Sequence, residues 1–303
     1  MRPRRLDLRG LFAVSCAVAL SWVPGAARGA SGASPALLGS ARSAGLGAAA
    51  AVDGGIAGMQ DNVAVLATQR GWAVSGTYLA WLEGTEVGVL TACAPTPAGT
   101  AALSVGGFTA GRVDIAEDGV PVRTVDAQRD VLVTAAFARE VVSGVEAGVA
   151  GNWCRSALAE SWVSTAFSLD AGVRLVTADG KLALGGAVAN AAGTRVRYAE
   201  ESRALPRSVT AGAAWRPVRN RALVLLIAVD YVTAGGEADA QRAGVEAELM
   251  RTISLRAGVR RGGETTDFSA GLGARWNRVQ FDYAVASPAR LGAVSRATLT
   301  VSL

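Results

Sequence analysis

The chain contains no histidine, so the imidazole base of Ser-His and His-Asp catalysis is absent. None of the strings GxSxG, HExxH or GxxxxGK[ST] occurs, which removes the nucleophile elbow, the zinc-protease helix and the phosphate loop. The adjacent carboxylates Glu200 and Glu201 share a charged stretch with Arg203 and Arg207 around Pro206 and read as a solvated loop, not an acid/base pair. Neither catalysis, a cofactor nor a metal site is therefore expected. What remains is a lattice of opposite charges, Arg242, Glu246, Glu248, Arg256, Arg260, Arg275, Asp282 and Arg296, set among Val, Leu, Ile, Gly and Ala. Such groups can pair with one another and solvate an interior. Alternatively, guanidinium groups can receive the acidic head of a ligand, for which Arg256, Arg260 and Arg275 are the candidates.

The elements carrying these charges have a period of two. Between Arg251 and Arg260, Ile253, Leu255, Ala257 and Val259 alternate with Ser254, Arg256, Gly258 and Arg260. Phe268, Ala270, Leu272, Ala274 and Trp276 alternate likewise with Ser269, Gly271, Gly273 and Arg275, and the runs 279–286 and 296–303 repeat the rule. Broken at Pro, Gly, Asn and Asp clusters, the sequence from about residue 72 predicts fourteen strands. They fall near 73–81, 85–94, 99–110, 129–139, 143–154, 162–177, 181–190, 207–216, 221–231, 241–250, 252–260, 267–276, 278–286 and 296–303.

Connections after even-numbered strands are tight, at Pro95-Thr96-Pro97, Val141-Val142, Ala178-Asp179-Gly180, Val218-Arg219-Asn220, Arg251 and Asn277. Those after odd-numbered strands are mostly longer, at 111–128, 155–161, 191–206, 232–240, 261–266 and 287–295, with 82–84 the exception. Short turns on one rim and long loops on the other belong to a transmembrane barrel, and a β-sandwich has no reason to keep that parity. On this scheme Trp72, Trp215 and Trp276 lie at the short-turn rim and Trp81, Trp153 and Trp162 at the long-loop rim, as two membrane-interface girdles would. Cys93 and Cys154 fall near opposite rims, beyond the roughly 7 Å a disulfide can bridge, and are expected to be unpaired.

The first residues read differently. Arg2, Arg4, Arg5 and Arg9 precede an apolar run from Leu11 to Val23, and Ala27-Arg28-Gly29 supplies small residues for cleavage. Residues 1–29 thus predict an export signal. Five arginines and Asp7 leave with them, so the formal net charge falls from +5 to +1, and the basic pI gives no argument for nucleic acid. No later stretch reaches the roughly 18 to 20 apolar residues of a spanning helix, so the only way across a membrane is a barrel. The expected organisation is a signal at 1–29, an N-terminal plug at 30–71 and an outer-membrane barrel at 72–303.

Four stretches, "SARSAGLGAAAAV" at 40–52, "VSGTYLAWLEGTEVGVL" at 74–90, "LALGGAVANAAGTRVRYAEESRALPRSVTAGAAWRP" at 182–217, and "SLRAGVRRG" through "SAGLGARWNRVQFDYAVASPARLG" at 254–292, together resemble the PorV/PorQ family, outer-membrane barrels related to FadL-type long-chain fatty-acid transporters. The resemblance implies a barrel of fourteen strands with the N-terminal segment folded into its lumen as a plug. The family's Asp-Asp and Asn-Pro-Ala-Gly plug motifs are reduced here to Asp53, Asp61 and Asn62, and Leu303 stands where barrels usually offer the barrel-assembly machinery an aromatic residue. A short helix is expected near Asp61–Thr68, capped by Asp61.

Two functions follow from the resemblance. In one, a hydrophobic molecule such as a fatty acid enters from the long-loop side, rests in an apolar pocket and passes when the plug shifts. In the other, the loops dock a secreted cargo protein, as PorV members of type IX secretion do. The loops here are short and polar, which favours the conduit. In either case the partners include outer-membrane lipid.

Overall fold

The computed structural model describes residues 38–303, apart from 53, 82–83, 118–119, 160–161, 199–200, 236–237, 264 and 288–292. The expected export signal, residues 30–37 of the expected plug, Asp53 and Glu200 lie outside the described residues. Helix α1 (Ala41–Leu46) and two 3₁₀ segments, Gly55–Gly58 and Val63–Thr68, come first. The strands follow as β1 (Ala73–Ala80), β2 (Thr85–Thr96), β3 (Gly99–Ala110), β4 (Arg112–Glu117), β5 (Val120–Asp126), β6 (Gln128–Val142), β7 (Val145–Leu158), β8 (Trp162–Val176) and β9 (Leu182–Gly193). Beyond them come β10 (Arg195–Tyr198), β11 (Glu201–Ala204), β12 (Ser208–Arg219), β13 (Leu223–Ala234), β14 (Ala240–Leu249), β15 (Ile253–Gly262), β16 (Thr265–Trp276), β17 (Val279–Ser287) and β18 (Val294–Ser302).

Fourteen of these strands form one closed antiparallel barrel in chain order, sealed where β1 pairs with β18 from Ala73↔Ser302 to Ala80↔Ser295. The other four make two hairpins, β4–β5 and β10–β11, inside the loops that join β3 to β6 and β9 to β12. The turns expected to be tight all fall on one rim. On the other rim several connections are shorter than expected: Arg155, Ser156 and Ala157 keep the alternation going and carry β7 on to Leu158, β13 runs on to Ala234, and β15 and β16 reach Gly262 and Thr265, leaving two residues between them.

Burial is the inverse of a soluble protein's. On β15, Leu255 is 46% exposed whereas its neighbour Arg256 is 5% exposed. Leu90, Leu103, Phe167, Leu272 and Phe281 likewise stand on the exposed outer face, as an apolar belt facing lipid does.

Residues 38–52 and 54–69 run inside this wall. They bond to Arg174 on β8, Asp230 on β13, Glu246 on β14, Ser269 on β16, and Arg296 and Thr298 on β18. These partners lie on the buried parity of their strands all round the barrel, so the segment can only be between them. Two glycines admit it. A Cβ on Gly185 would lie against the Ala50 carbonyl and one on Gly244 against the Leu46 carbonyl, inside any permitted contact. The Ser40 side chain caps α1 by accepting from the Ser43 N–H. Instead of an α-helix capped by Asp61, residues Val63–Thr68 form a 3₁₀ segment capped by Asn62, whose Oδ1 accepts the Ala64 N–H at 3.0 Å. Asn62 also donates to the carbonyls of Ala50 and Val173, which leaves it better placed than Asp61 to close the turn.

Candidate functional site

The lumen has three layers. In the middle, Arg42 of α1 donates to both oxygens of Glu246 at 2.9 and 2.7 Å, Arg256 donates to Glu246 at 2.5 Å, and Arg256 reaches Asp282 on β17 at 2.7 Å. Arg256 and Asp282 side chains are each 1% exposed. A chain of four alternating charges therefore ties the inner segment to the wall, each buried charge with a partner. On the opposite wall Arg174 bonds Glu146 at 2.7 Å and the Ala51 carbonyl at 2.8 Å. Asp230 accepts the Ala49 and Ala50 N–H groups at 2.7 and 3.0 Å.

Asp61 is half-buried beside Ser43, Arg242 and Arg296. Burial pushes its carboxyl up to about 6, against the pull of the Ser43 hydrogen bond and the two arginines. Its Oδ2 has no hydrogen-bond partner among the described residues.

Towards the long-loop rim the lumen turns apolar. Leu38, Leu79, Val87 and Val89 are buried together on the inner side, with Trp81, Phe108, Leu132 and Val294 packed against them. Towards the other rim, Ile56, Met59, Val63 and Leu66 of the inner segment fill the lumen against Ala73, Cys93, Ala102, Ala136, Ala138 and Ala150. The small wall residues leave room for the segment's larger ones. Cys93 and Cys154 are both free thiols.

The expected ligand arginines are not brought together. Arg256 is consumed by Glu246 and Asp282, which corrects its assignment to a ligand head: a group so buried and so bonded is structural. Arg260 is exposed, four residues nearer the long-loop rim. Arg275 stands at the short-turn rim, bonded to Gln280 and, at 3.4 Å, to Glu248.

Trp72, Trp162, Trp215 and Trp276 are half or more exposed near the rims. Trp81 is a correction. It continues the inward set Ala73, Ser75, Thr77, Leu79 and packs in the apolar cluster, not against lipid. Trp153 shares the outward parity of Val149 but stands five residues inside the end of β7. The sequence reading missed Arg42, Leu38, Phe108 and Leu132. Phe108 and Leu132 carry a signal in retrospect, being large apolar residues on the otherwise small and polar inward parity of β3 and β6.

A scan against protein-family models and a search of curated proteins find no match. Among solved structures the chain is similar to the Pseudomonas putida toluene transporter TodX, with 12% identity over 87% of this chain and 96% of that one and a TM-score of 0.58. It is also similar to the CymD monoaromatic hydrocarbon channel, with 13% identity, coverage of 86% and 98%, and a TM-score of 0.57. A Pseudomonas aeruginosa FadL homologue follows, with 11% identity, coverage of 87% and 98%, and a TM-score of 0.54. The fold is similar to that of these barrels. At these identities the likeness speaks for fold alone.

Proposed function

We propose that this protein is an outer-membrane barrel that passes hydrophobic small molecules, long-chain fatty acids among them, from the long-loop side. The observation that carries the reading is the apolar cluster that Leu38 forms with Leu79, Trp81, Val87, Val89, Phe108, Leu132 and Val294 on the inner face. Inward faces of aqueous barrels are polar, so a cluster of large apolar side chains there has a use beyond solvating the lumen. In the same reading residues 30–71 act as a plug, and export by residues 1–29 delivers the chain to the outer membrane. Kinship with the PorV/PorQ family and docking of secreted cargo rest on the sequence resemblance alone.

The test is calorimetric titration of the detergent-purified barrel with laurate and with toluene, beside the variants Phe108→Ala and Leu132→Ala. Saturable binding of either probe, weakened about tenfold or more by each truncation, supports the reading; a loss of roughly 2 to 5 kcal/mol of packing contact is available at such a site. Absence of saturable binding, or binding indifferent to both truncations, refutes it.

A further inference from the structure

The short-turn rim is strongly basic. Going round the edge from β6 to β17, Arg139, Lys181, Arg219, Arg221, Arg251 and Arg278 lie in or beside five successive tight turns, all of them exposed. Two exposed carboxylates share this arc, and both are engaged within their own turns. Glu140 accepts the Gly144 N–H at 2.9 Å. Asp179 accepts the Thr177 hydroxyl at 2.6 Å and the Lys181 N–H at 3.0 Å, bonds that hold its carboxyl below the usual range. The arc therefore carries an excess of four positive charges, in a chain whose net charge beyond residue 29 is only +1. The charges are segregated to this edge and are not a consequence of composition.

The same edge carries three exposed indoles, Trp72, Trp215 and Trp276. Indole rings on the outside of a transmembrane barrel settle at headgroup depth. Arg278 lies two residues beyond Trp276, and Arg219 and Arg221 lie just beyond Trp215. The cations thus stand immediately outside the indole level, where lipid phosphates lie. Tight turns keep them there, since connections of two to five residues cannot carry them off into solvent.

We propose that this arc is a binding collar for anionic phospholipid headgroups. The guanidinium groups take the phosphodiester oxygens and the indoles pack on the glycerol and upper acyl region. The collar is independent of what passes through the lumen. It seats the barrel in one leaflet, with the short turns flush against the phosphate layer.

The experiment is native mass spectrometry of the full barrel released from detergent, titrated with dioleoylphosphatidylglycerol or dioleoylphosphatidylcholine. Three proteins are compared: wild type, Arg221→Gln/Arg251→Gln/Arg278→Gln at the short-turn rim, and Arg155→Gln/Arg207→Gln/Arg261→Gln at the opposite rim. Heat-modifiable migration in gels confirms that each is folded. Each basic side chain near an anionic surface is worth about fivefold at low salt, so the short-turn variant is expected to lose phosphatidylglycerol affinity on the order of a hundredfold. The opposite-rim variant retains it, and added salt weakens the wild type. Equal binding of the two lipids, or loss confined to the opposite-rim variant, overturns the proposal. Displacement of phosphatidylglycerol by polyglutamate at equal charge overturns it too, and would assign the edge to an acidic soluble partner.

Discussion

Glu246→Gln tests whether the charged layer holds the inner segment. The carboxylate accepts three charge-assisted hydrogen bonds, two from Arg42 and one from Arg256, with its side chain 5% exposed. Glutamine preserves the volume, removes the charge and presents a single acceptor oxygen, so at least one guanidinium contact is lost. Removing one partner of a buried ion pair costs about 3 to 5 kcal/mol. Arg256 keeps Asp282, which places the loss mainly on the Arg42 side and points to the lower part of that range. The ladders of the wall do not involve the Glu246 side chain, so the cost falls on docking of residues 38–72 and not on the barrel. At 1.4 kcal/mol per factor of ten, the undocked fraction rises by about two orders of magnitude or more. The assay is limited proteolysis of the folded barrel, following cleavage within residues 38–72, together with efflux of a small sugar from proteoliposomes. Arg42→Gln should give the same phenotype, and the double variant should add little to either single change, since the two act on one contact. Proteolysis and efflux rates equal to wild type would refute the account, as would fully additive effects.

Three further outcomes follow from the same geometry. Gly185→Ala and Gly244→Ala press a methyl group onto the carbonyls of Ala50 and Leu46; overpacking of about 1 to 3 kcal/mol should raise protease sensitivity of the inner segment, measured as above, while the wall stays heat-modifiable. Because the folded pKa of Asp61 is raised from 3.8 to about 6, its contribution is fully present below about pH 3.8 and is lost as pH rises through 6. The inner segment should then be better protected at pH 5 than at pH 7.5, and Asp61→Asn should abolish the difference. In bilayers containing brominated lipid, Trp276→Phe should remove a share of the quenchable tryptophan emission, the rest coming from Trp72, Trp162 and Trp215, whereas Trp81→Phe, whose ring packs in the inner apolar cluster, should remove little.

The wall was legible because its signal is local. A strand facing lipid on one side and a filled lumen on the other must alternate, and tight turns break the pattern at residues such as Asn277 or Gly180. The hairpins β4–β5 and β10–β11 were not, since four- to seven-residue strands leave too few alternations to stand out, and Pro121 falls within one of them. The function of Arg256 was hidden for a different reason. Alternation shows that it points inward, but its partner Asp282 lies two strands away, and Arg42 comes from a segment with no period at all. Trp81 shows the limit of arguing from rims: nearness to a strand end says nothing about side, which only the parity of Leu79 and Thr77 decides. Leu38 joins the apolar cluster through a contact with β1 and β2 that no spacing in the sequence announces.

The seam between β1 and β18 also sets an order of events in biogenesis. The inner segment is synthesised before any strand, yet its backbone partners include Thr298 and Arg296 on the strand made last. While the sheet grows from β1 to β17 with both margins open, Arg174, Asp230, Glu246 and Ser269 can take up part of its bonding, but the groups that hold Gly39 and Ala41 are still missing. Arrival of β18 does two things at once: it zips the open margin and supplies the groups that fix Gly39 and Ala41. Sealing and the last of the docking bonds are thus a single step, and a chain truncated before Val294 should leave the start of the segment, around Gly39 and Ala41, more open to protease than in the full barrel.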